Sequence, residues 1–219
     1  MPNYNHMHNP PGGRVFSGEV IYLTVGKLST KARIERVATR QFALYGFDGT
    51  SVRQIVTEAK VTKPVLYYYF KDKRDLYLSL LEQAIAPLCD EIERIGGRRS
   101  PPHHRMEEVI AAFLQFFRES PDQFQLLHRA VERREREVQI IAEKYFRRIF
   151  DTISQILADG IASGGFKGMD VTQGTFTVIA ILIYFCTRAH VIDVIMGQRR
   201  ATDALMGTLP RHILGLLEA

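Results

Sequence analysis

The clearest pattern in the chain is the recurrence of apolar residues three or four positions apart, from near residue 31 almost to the end. This spacing puts apolar side chains on one face of an α-helix. The first part of the chain is predicted to form four helices: Lys31–Tyr45, Ser51 to about Ala59, Thr62 to about Phe70, and Lys73 to about Ile95. After a break at Gly96–Pro102, helices are predicted at 103–119, 121–134, 137–163, 171–197 and 201–217. No strand pair is predicted, so the fold class is all-α.

Short polar residues stand at the predicted helix starts, and glycine and proline stand at the predicted interruptions. The side chains expected to accept hydrogen bonds from the free N–H groups of a first turn are Ser29 or Thr30, Ser51, Thr62 and Asp72. Gly46 is expected to end the first helix. Pro210 is expected to kink or break the last one, because proline lacks an N–H and clashes with the preceding turn.

Composition and helix length divide the chain into three parts. Residues 1–28 begin MPNYNHMHNPPGG and are predicted to be a disordered tail. Residues 29–75 hold the short helices, and residues 76–219 hold the long ones. His6 and His8 have no further candidate ligands nearby, so no metal site is predicted.

The two short helices are joined by Lys60–Val61, which is the spacing of a helix-turn-helix. In such a unit the second helix enters the major groove of DNA. That helix reads TKPVLYYYFKDK, and its three consecutive tyrosines cannot share one face. Leu66 and Phe70 are predicted to pack in a core. Tyr67 and Tyr68 lie on faces that also carry lysines and are predicted to contact DNA, whereas Tyr69 fits either the core edge or a phosphate contact.

Positive charge is concentrated around these helices. The chain carries a formal net charge of +5, but between Lys27 and Asp75 eleven basic residues stand against five acidic ones. A basic segment on a near-neutral body indicates a polyanionic partner for that segment.

One segment of the chain resembles the DNA-binding domain of the TetR family of bacterial transcription repressors. Its sequence is ARIERVATRQFALYGFDGTSVRQIVTEAKVTKPVLYYYFKDKRDLYLSLL. The resemblance rests on an Ala-rich first helix ending in Phe-x-x-x-Gly-Phe, a Ser-capped second helix, and a third helix reading Leu-Tyr-x-Tyr-Phe. It covers about a quarter of the chain. It implies an N-terminal three-helix helix-turn-helix DNA-binding domain, followed by a larger helical domain that binds an effector and forms the dimer.

The resemblance also implies which residues meet DNA. The expected contacts to bases or phosphates are Ser51, Arg53, Thr62, Lys63, Pro64, Tyr67, Tyr68, Tyr69 and Lys73. Lys60 departs from the glycine usual in the family at a position that often needs a left-handed backbone. Lys60 is also expected to add a cation near the DNA.

In the body, the resemblance implies a homodimer through the last two long helices and an effector pocket enclosed by the middle ones. The candidate ligand-binding residues are Phe113, Phe117, Phe124, His128, Tyr145, Phe176, Ile183, Tyr184 and Thr187. A wider set of candidates adds Phe116, Leu127, Arg129, Ile149 and Ile179. Aromatic residues at helical spacing are more often ordinary core residues than ligand contacts. Few charges fall among them, which favours an apolar or amphipathic effector. The charged run Glu132–Val138 fits either a solvated helix end or a latch between domains.

These features predict a repressor that binds a pseudo-palindromic operator as a dimer and is released by a small effector. The alternatives are a ligand-independent architectural DNA-binding protein and an activator. An enzyme is not predicted, because the chain contains no GxSxG, phosphate-binding glycine loop or HExxH, and no cofactor is expected.

The longest apolar run, Phe176–Phe185, is shorter than the roughly 20 residues of a membrane span, so no membrane partner is expected. Cys89 and Cys186 stand far apart and fit small buried side chains in a reducing compartment. A cytoplasmic, nucleoid-associated protein is therefore predicted.

Overall fold

The structure is a computed structural model that describes residues 28–198 and 201–218. Most of the predicted tail therefore lies outside the described residues. The N-terminal helices are α1 (Thr30–Gly49), α2 (Val52–Glu58), α3 (Lys63–Tyr69) and α4 (Lys73–Gly96). The body continues with α5 (Pro102–Glu119), α6 (Pro121–Glu132), α7 (Glu137–Ile141), a π-helical turn (Ala142–Phe146), α8 (Arg147–Ala162), α9 (Val171–Thr187), α10 (Ala189–Met196) and α11 (Ala201–Leu217). The all-α prediction is confirmed.

Three of the predicted caps form as expected. The Ser29 hydroxyl accepts from the N–H of Ala32 at 3.1 Å, and the Asp72 carboxylate accepts from the N–H of Asp75 at 2.8 Å. Ser51 and Gln54 form a reciprocal capping box at the start of α2. The prediction for Thr62 is wrong in one respect, because this residue precedes α3 but its side chain makes no capping hydrogen bond.

Four helices close a small core at the N-terminal end. Leu66 and Phe70 of the α3 segment are buried together with Ile34, Phe42 and Ile55. This burial confirms the predicted anchoring face of α3. The same apolar core continues without a break through α4 into the body, so the N-terminal helices are packed on the body rather than tethered to it.

The break at Gly46 is also confirmed. Gly46 has φ +75°, which interrupts α1 one turn before its end. A Cβ at this position would stand 3.3 Å from Nε of Arg129. Glycine is therefore required here both by the backbone angle and by the close approach of α6.

The C-terminal helices differ from the expectations in two places. The helix predicted over 171–197 breaks at Arg188, where α9 and α10 meet at 75°. The Thr202 hydroxyl hydrogen-bonds to the carbonyl of Ala189 and to the Asp193 carboxylate, so α11 fixes α10 in this direction.

Of the kink or break expected at Pro210, the break does not occur, because α11 runs on to Leu217. Met206, Leu209 and Ile213 are buried on either side of the proline, and their packing offsets the missing hydrogen bond.

Within the described part of the chain, no single helix is long and apolar enough to cross a membrane. The bent pair α9–α10 reaches the required length and composition only when both helices are counted together.

Lys60 stands in the turn between α2 and α3 with φ +53°, the left-handed conformation that glycine adopts without cost. Lys60→Gly should therefore raise the free energy of unfolding by about 0.5–1 kcal/mol, the relief of strain less the entropy cost of glycine. Urea unfolding followed by far-UV circular dichroism measures this change. Lys60→Ala is the matched control, because it removes the charge and keeps the strain. An equal gain in both variants would contradict the strain account.

Candidate nucleic-acid interface and ligand cavity

The residues predicted to meet DNA form an exposed face at the helix-turn-helix. Tyr68 is 82% exposed, Tyr67 48% and Tyr69 38%, although all three are large and partly apolar. Around them the exposed predicted contacts are Ser51, Arg53, Thr62, Lys63 and Pro64. The helix thus buries one side and presents aromatic rings, hydroxyls and cations on the others.

Tyr69 is the least exposed of the three tyrosines. Its ring meets Tyr68 edge-on at 5.0 Å between centroids and lies 6.5 Å from the ring of Phe70. Its ring packs at the edge of the core, but its side chain stays accessible to solvent. This position fits both a core-edge role and a phosphate contact.

Several cations near this face have no acidic partner. In residues 28–198 and 201–218, no ion pair within 4 Å involves Arg53, Lys60, Lys63 or Lys71. Arg40, by contrast, is bound to Glu58, and Lys31 pairs with Glu35. The unpaired charges are gathered around α2 and α3, where a phosphate backbone would be favoured.

Lys73 stands apart from this group. Its Nζ donates to the carbonyls of Phe47 at 2.7 Å and Thr50 at 2.9 Å, and it lies 4.1 Å from the Phe47 ring centroid. Two of the three N–H donors of its ammonium group therefore bind the C-terminal end of α1 to α4. The predicted phosphate contact would have to use the third.

A cavity of about 770 Å³ lies in the body, between α4, α5, α6, α8 and α9. Its walls are mostly apolar, and phenylalanine and isoleucine are equally frequent, with six lining residues each. The predicted ligand-binding residues that do line it are Phe113, Phe124, His128, Phe176 and Ile183, and the wider candidates Phe116, Leu127, Ile149 and Ile179 line it as well.

Four of the predicted ligand-binding residues do not line the cavity. Phe117 packs edge-on against Phe124, with ring centroids 5.0 Å apart. Tyr145 is buried toward α4, where its carbonyl is 3.7 Å from the Cys89 thiol. Tyr184 lies on the exposed face of α9, and the Thr187 hydroxyl donates to the carbonyl of Ile183.

The sequence reasoning missed the wall formed by α4 and by the start of α8. Ile85, Leu88 and Ile92 of α4 line the cavity, as do Phe146 and Phe150. The i, i+3, i+7 spacing on α4 was visible in the sequence. It indicated only that these residues are buried, not that a void lies beside them.

Arg129, a candidate for a polar anchor in the pocket, points instead toward α1. Its guanidinium donates to the carbonyls of Ala43 at 3.1 Å and Leu44 at 2.5 Å, in the turn just before Gly46. Helix α6 thus has one face in the cavity and another on α1, which in turn packs against α2 and α3. We call these Arg129 hydrogen bonds the α6–α1 junction.

The charged run after α6 adds further bonds to α4. The Tyr77 phenol donates to the Glu135 carboxylate, and burial raises the pKa of this phenol above its usual range. Arg74 pairs with the buried Glu137 at 2.8 Å. The Arg74–Glu137 pair crosses the predicted division at residue 75, as the latch alternative requires, whereas the Tyr77–Glu135 bond lies within the body.

Cys89 and Cys186 are buried and unpaired by disulfide. Burial raises the pKa of both thiols, that of Cys186 to about 12, so neither is poised as a thiolate. Cys89, Asp90 and Glu93 approach one another closely, but Arg148 binds both carboxylates. This group is an ion-pair network rather than a metal centre.

Comparison with known proteins identifies the family. A model described as bacterial regulatory proteins, tetR family, matches residues 34–80. A model described as tetracyclin repressor-like, C-terminal domain, matches residues 102–216, which is more than half of the chain. The chain belongs to the tetR family of bacterial regulatory proteins. This tetR-family protein is therefore a helix-turn-helix transcriptional regulator, with α2 and α3 as the helix-turn-helix.

Relatives and solved structures agree with this assignment. The HTH-type transcriptional repressor NicS of Pseudomonas putida is 25% identical over 160 residues, which cover 71% of this chain and 74% of NicS. PfmR from Thermus thermophilus superposes with a TM-score of 0.70 at 20% identity, over 88% of this chain and all of PfmR. FadR from Bacillus subtilis, solved in complex with stearoyl-CoA, gives 0.67 at 19% identity, over 84% of this chain and 97% of FadR.

Removing the α6–α1 junction should destabilise this tetR-family regulator. Arg129→Met keeps the apolar stem but leaves two carbonyls at the end of α1 without their charged donor, so the free energy of unfolding should fall by about 1.5–3 kcal/mol. Urea unfolding measures the change. Arg118→Met, which removes an exposed arginine on α5, is the control. Equal stability of the two variants would show that the junction contributes little.

Proposed function

We propose that the protein is a repressor that binds a pseudo-palindromic operator as a dimer and leaves it when a small apolar or amphipathic effector enters the body. The observation that carries this proposal is the placement of α6, which lines a 770 Å³ cavity and, through Arg129, holds the end of α1, the first helix of the proposed DNA-binding domain. Residues 29–75 are the proposed DNA-binding domain and 76–219 the effector-binding and dimerisation domain. The division falls inside α4, which belongs to both cores.

The proposed DNA contacts follow from what each exposed side chain offers. Thr62 and Lys63 open α3, where the first N–H groups of the helix also favour phosphate. Pro64 offers only apolar contact. Tyr67 and Tyr68 offer a hydroxyl donor to phosphate and a ring face to sugars or thymine methyl groups. Ser51 and Arg53 reach the backbone from α2, and Tyr69 reaches phosphate from the edge of the core.

A second copy is proposed to cover α9 and α11. Tyr184 on α9 and Leu216 on α11 are exposed and lie outside the cavity lining, where a partner helix could cover them. On α11, the exposed face carries Ala204, Thr208 and Gly215, which let a helix approach closely. A dimer is also what a helix-turn-helix requires to read two half-sites about 34–36 Å apart.

Release is proposed to follow from the two faces of α6. An effector in the cavity touches Phe124, Leu127 and His128, and any displacement of that face moves Arg129, which holds the end of α1. The two recognition helices of a dimer would then no longer match the operator spacing. By linkage, operator and effector must weaken each other to the same extent.

The cavity favours a sensor over the ligand-independent architectural alternative, because several hundred Å³ of apolar space suits a small molecule. The stearoyl-CoA complex of FadR supports an amphipathic effector in this fold. We place the protein in the cytoplasm at the nucleoid, with neither a catalytic nor a membrane role. An activator would share every feature above and differ only in the position of its operator.

Operator binding tests the proposal at the tyrosines. After selection of the bound sequence from random DNA, Tyr67→Phe and Tyr68→Phe should each weaken operator binding by roughly 5- to 30-fold, the loss of one hydrogen bond to a phosphate. Stability should stay unchanged. Gel-shift titration gives the affinities, and Tyr45→Phe, at an exposed tyrosine of α1, is the control.

Two outcomes would count against the proposal. Unchanged operator affinity in both variants would show that the hydroxyls of Tyr67 and Tyr68 do not contact DNA. Equal binding of the selected sequence and of unrelated competitor DNA would show that the protein does not recognise a specific operator.

A further inference from the structure

The cavity wall is unusually rich in phenyl rings. Phe113 and Phe116 each meet Phe124 edge-on, with centroids 6.3 and 6.1 Å apart, and Phe150 lies 5.0 Å from Phe176. Phe146 also lines the space. The face of a phenyl ring is electron-rich and attracts a cation within about 6 Å of its centroid. The wall therefore suits a positively charged ligand with a large apolar body.

The Phe150–Phe176 pair marks where a charge would sit. Phe176 is 59% exposed although it lines the cavity, so this pair lies at the opening and not at the closed end. A ligand with its apolar part among the inner rings would leave its charged centre here. Water remains available at this place, which lowers the cost of keeping the charge.

The charged residues that line the cavity are mainly acidic. Glu143, Arg147 and Asp151 follow one another at four-residue spacing along one face of the helix that carries Phe146 and Phe150. Glu132 lines the opening from α6, but His128 at 3.2 Å and Arg188 at 3.6 Å already face it.

Glu143 and Asp151 are not neutralised in this way. Glu143 accepts only from the neutral amide of Gln139, at 3.1 Å. In the described residues Asp151 has no cation within 4 Å. Two carboxylates thus stand against the single guanidinium of Arg147.

An anionic head group would find a poor site here. A ligand such as an acyl thioester of coenzyme A carries several negative charges, and the lining offers one arginine to meet them. The same lining presents carboxylates to repel them. A cation meets the reverse situation.

We propose that the effector is a lipophilic organic cation whose charged centre lies against the rings of Phe150 and Phe176 and beside Asp151. This inference rests on the proposed role of the cavity as the effector site. It adds the sign of the charge and the place where the charge is held.

A pair of ions with the same shape and opposite charge tests the inference. Tetraphenylphosphonium and tetraphenylborate each carry four phenyl groups around one charged centre. In calorimetric titrations of the full-length protein, the phosphonium should bind at least tenfold more tightly than the borate, which is the effect of about 1.4 kcal/mol of charge preference. Equal binding of the two ions, tighter binding of the borate, or no binding of the phosphonium would overturn the proposal.

Two variants at the opening locate the effect. Asp151→Asn should weaken phosphonium binding by roughly 3- to 10-fold, and Arg147→Gln should strengthen it, because they change the local charge in opposite directions. Glu107→Gln, at an exposed carboxylate of α5 outside the lining, is the control. If Asp151→Asn and the control behave alike, the charged centre is not held where we place it.

The outcome for the operator separates this inference from the proposed function. Release of operator by the phosphonium supports both. If the phosphonium binds without releasing the operator, the cation site is supported, but the cavity does not control DNA binding. If stearoyl-CoA releases the operator and the phosphonium does not, the repressor function is supported and the proposal of a cationic effector is wrong.

Discussion

One hydrogen-bonded contact fixes α6 against α1 on the apolar core that joins the N-terminal helices to the body: the guanidinium of Arg129 donates to the carbonyls of Ala43 and Leu44. Those carbonyls lie where Gly46 interrupts α1, so the helix itself supplies no complete set of donors for them. An arginine from α6 supplies what is missing. Glycine at position 46 leaves room for it, since a Cβ there would stand 3.3 Å from Nε of Arg129. The end of α1 and the direction of α6 are therefore fixed by the same contact.

This contact makes α6 a shared part of two structures. Phe124, Leu127 and His128 line the cavity, while Arg129 reaches α1. The helix has only 12 residues and behaves as one rigid element at that length. The bonds from Tyr77 to Glu135 and from Arg74 to Glu137 extend the contact to α4. The two faces of α6 therefore join the cavity wall to the end of α1 through one short helix.

Local features were predictable from the sequence, and features made by distant residues were not. The caps at Ser51 and Asp72 and the anchoring of Leu66 and Phe70 depend on neighbours within a few positions. The break at Arg188 depends on Thr202, and the partner of Arg129 lies 85 residues away. Phe116 lines the cavity and Phe117 does not, because apolar spacing reports burial and not the side on which a void remains.

Pulsed electron paramagnetic resonance tests most directly whether the α6–α1 junction orients the DNA-reading helices. Nitroxide labels on Thr57→Cys, an exposed position of α2, report the separation of the two reading units in a dimer, and both native cysteines are buried. The account predicts a narrow distance distribution that broadens when Arg129 is replaced by methionine. Distributions of equal width with and without the arginine would contradict it.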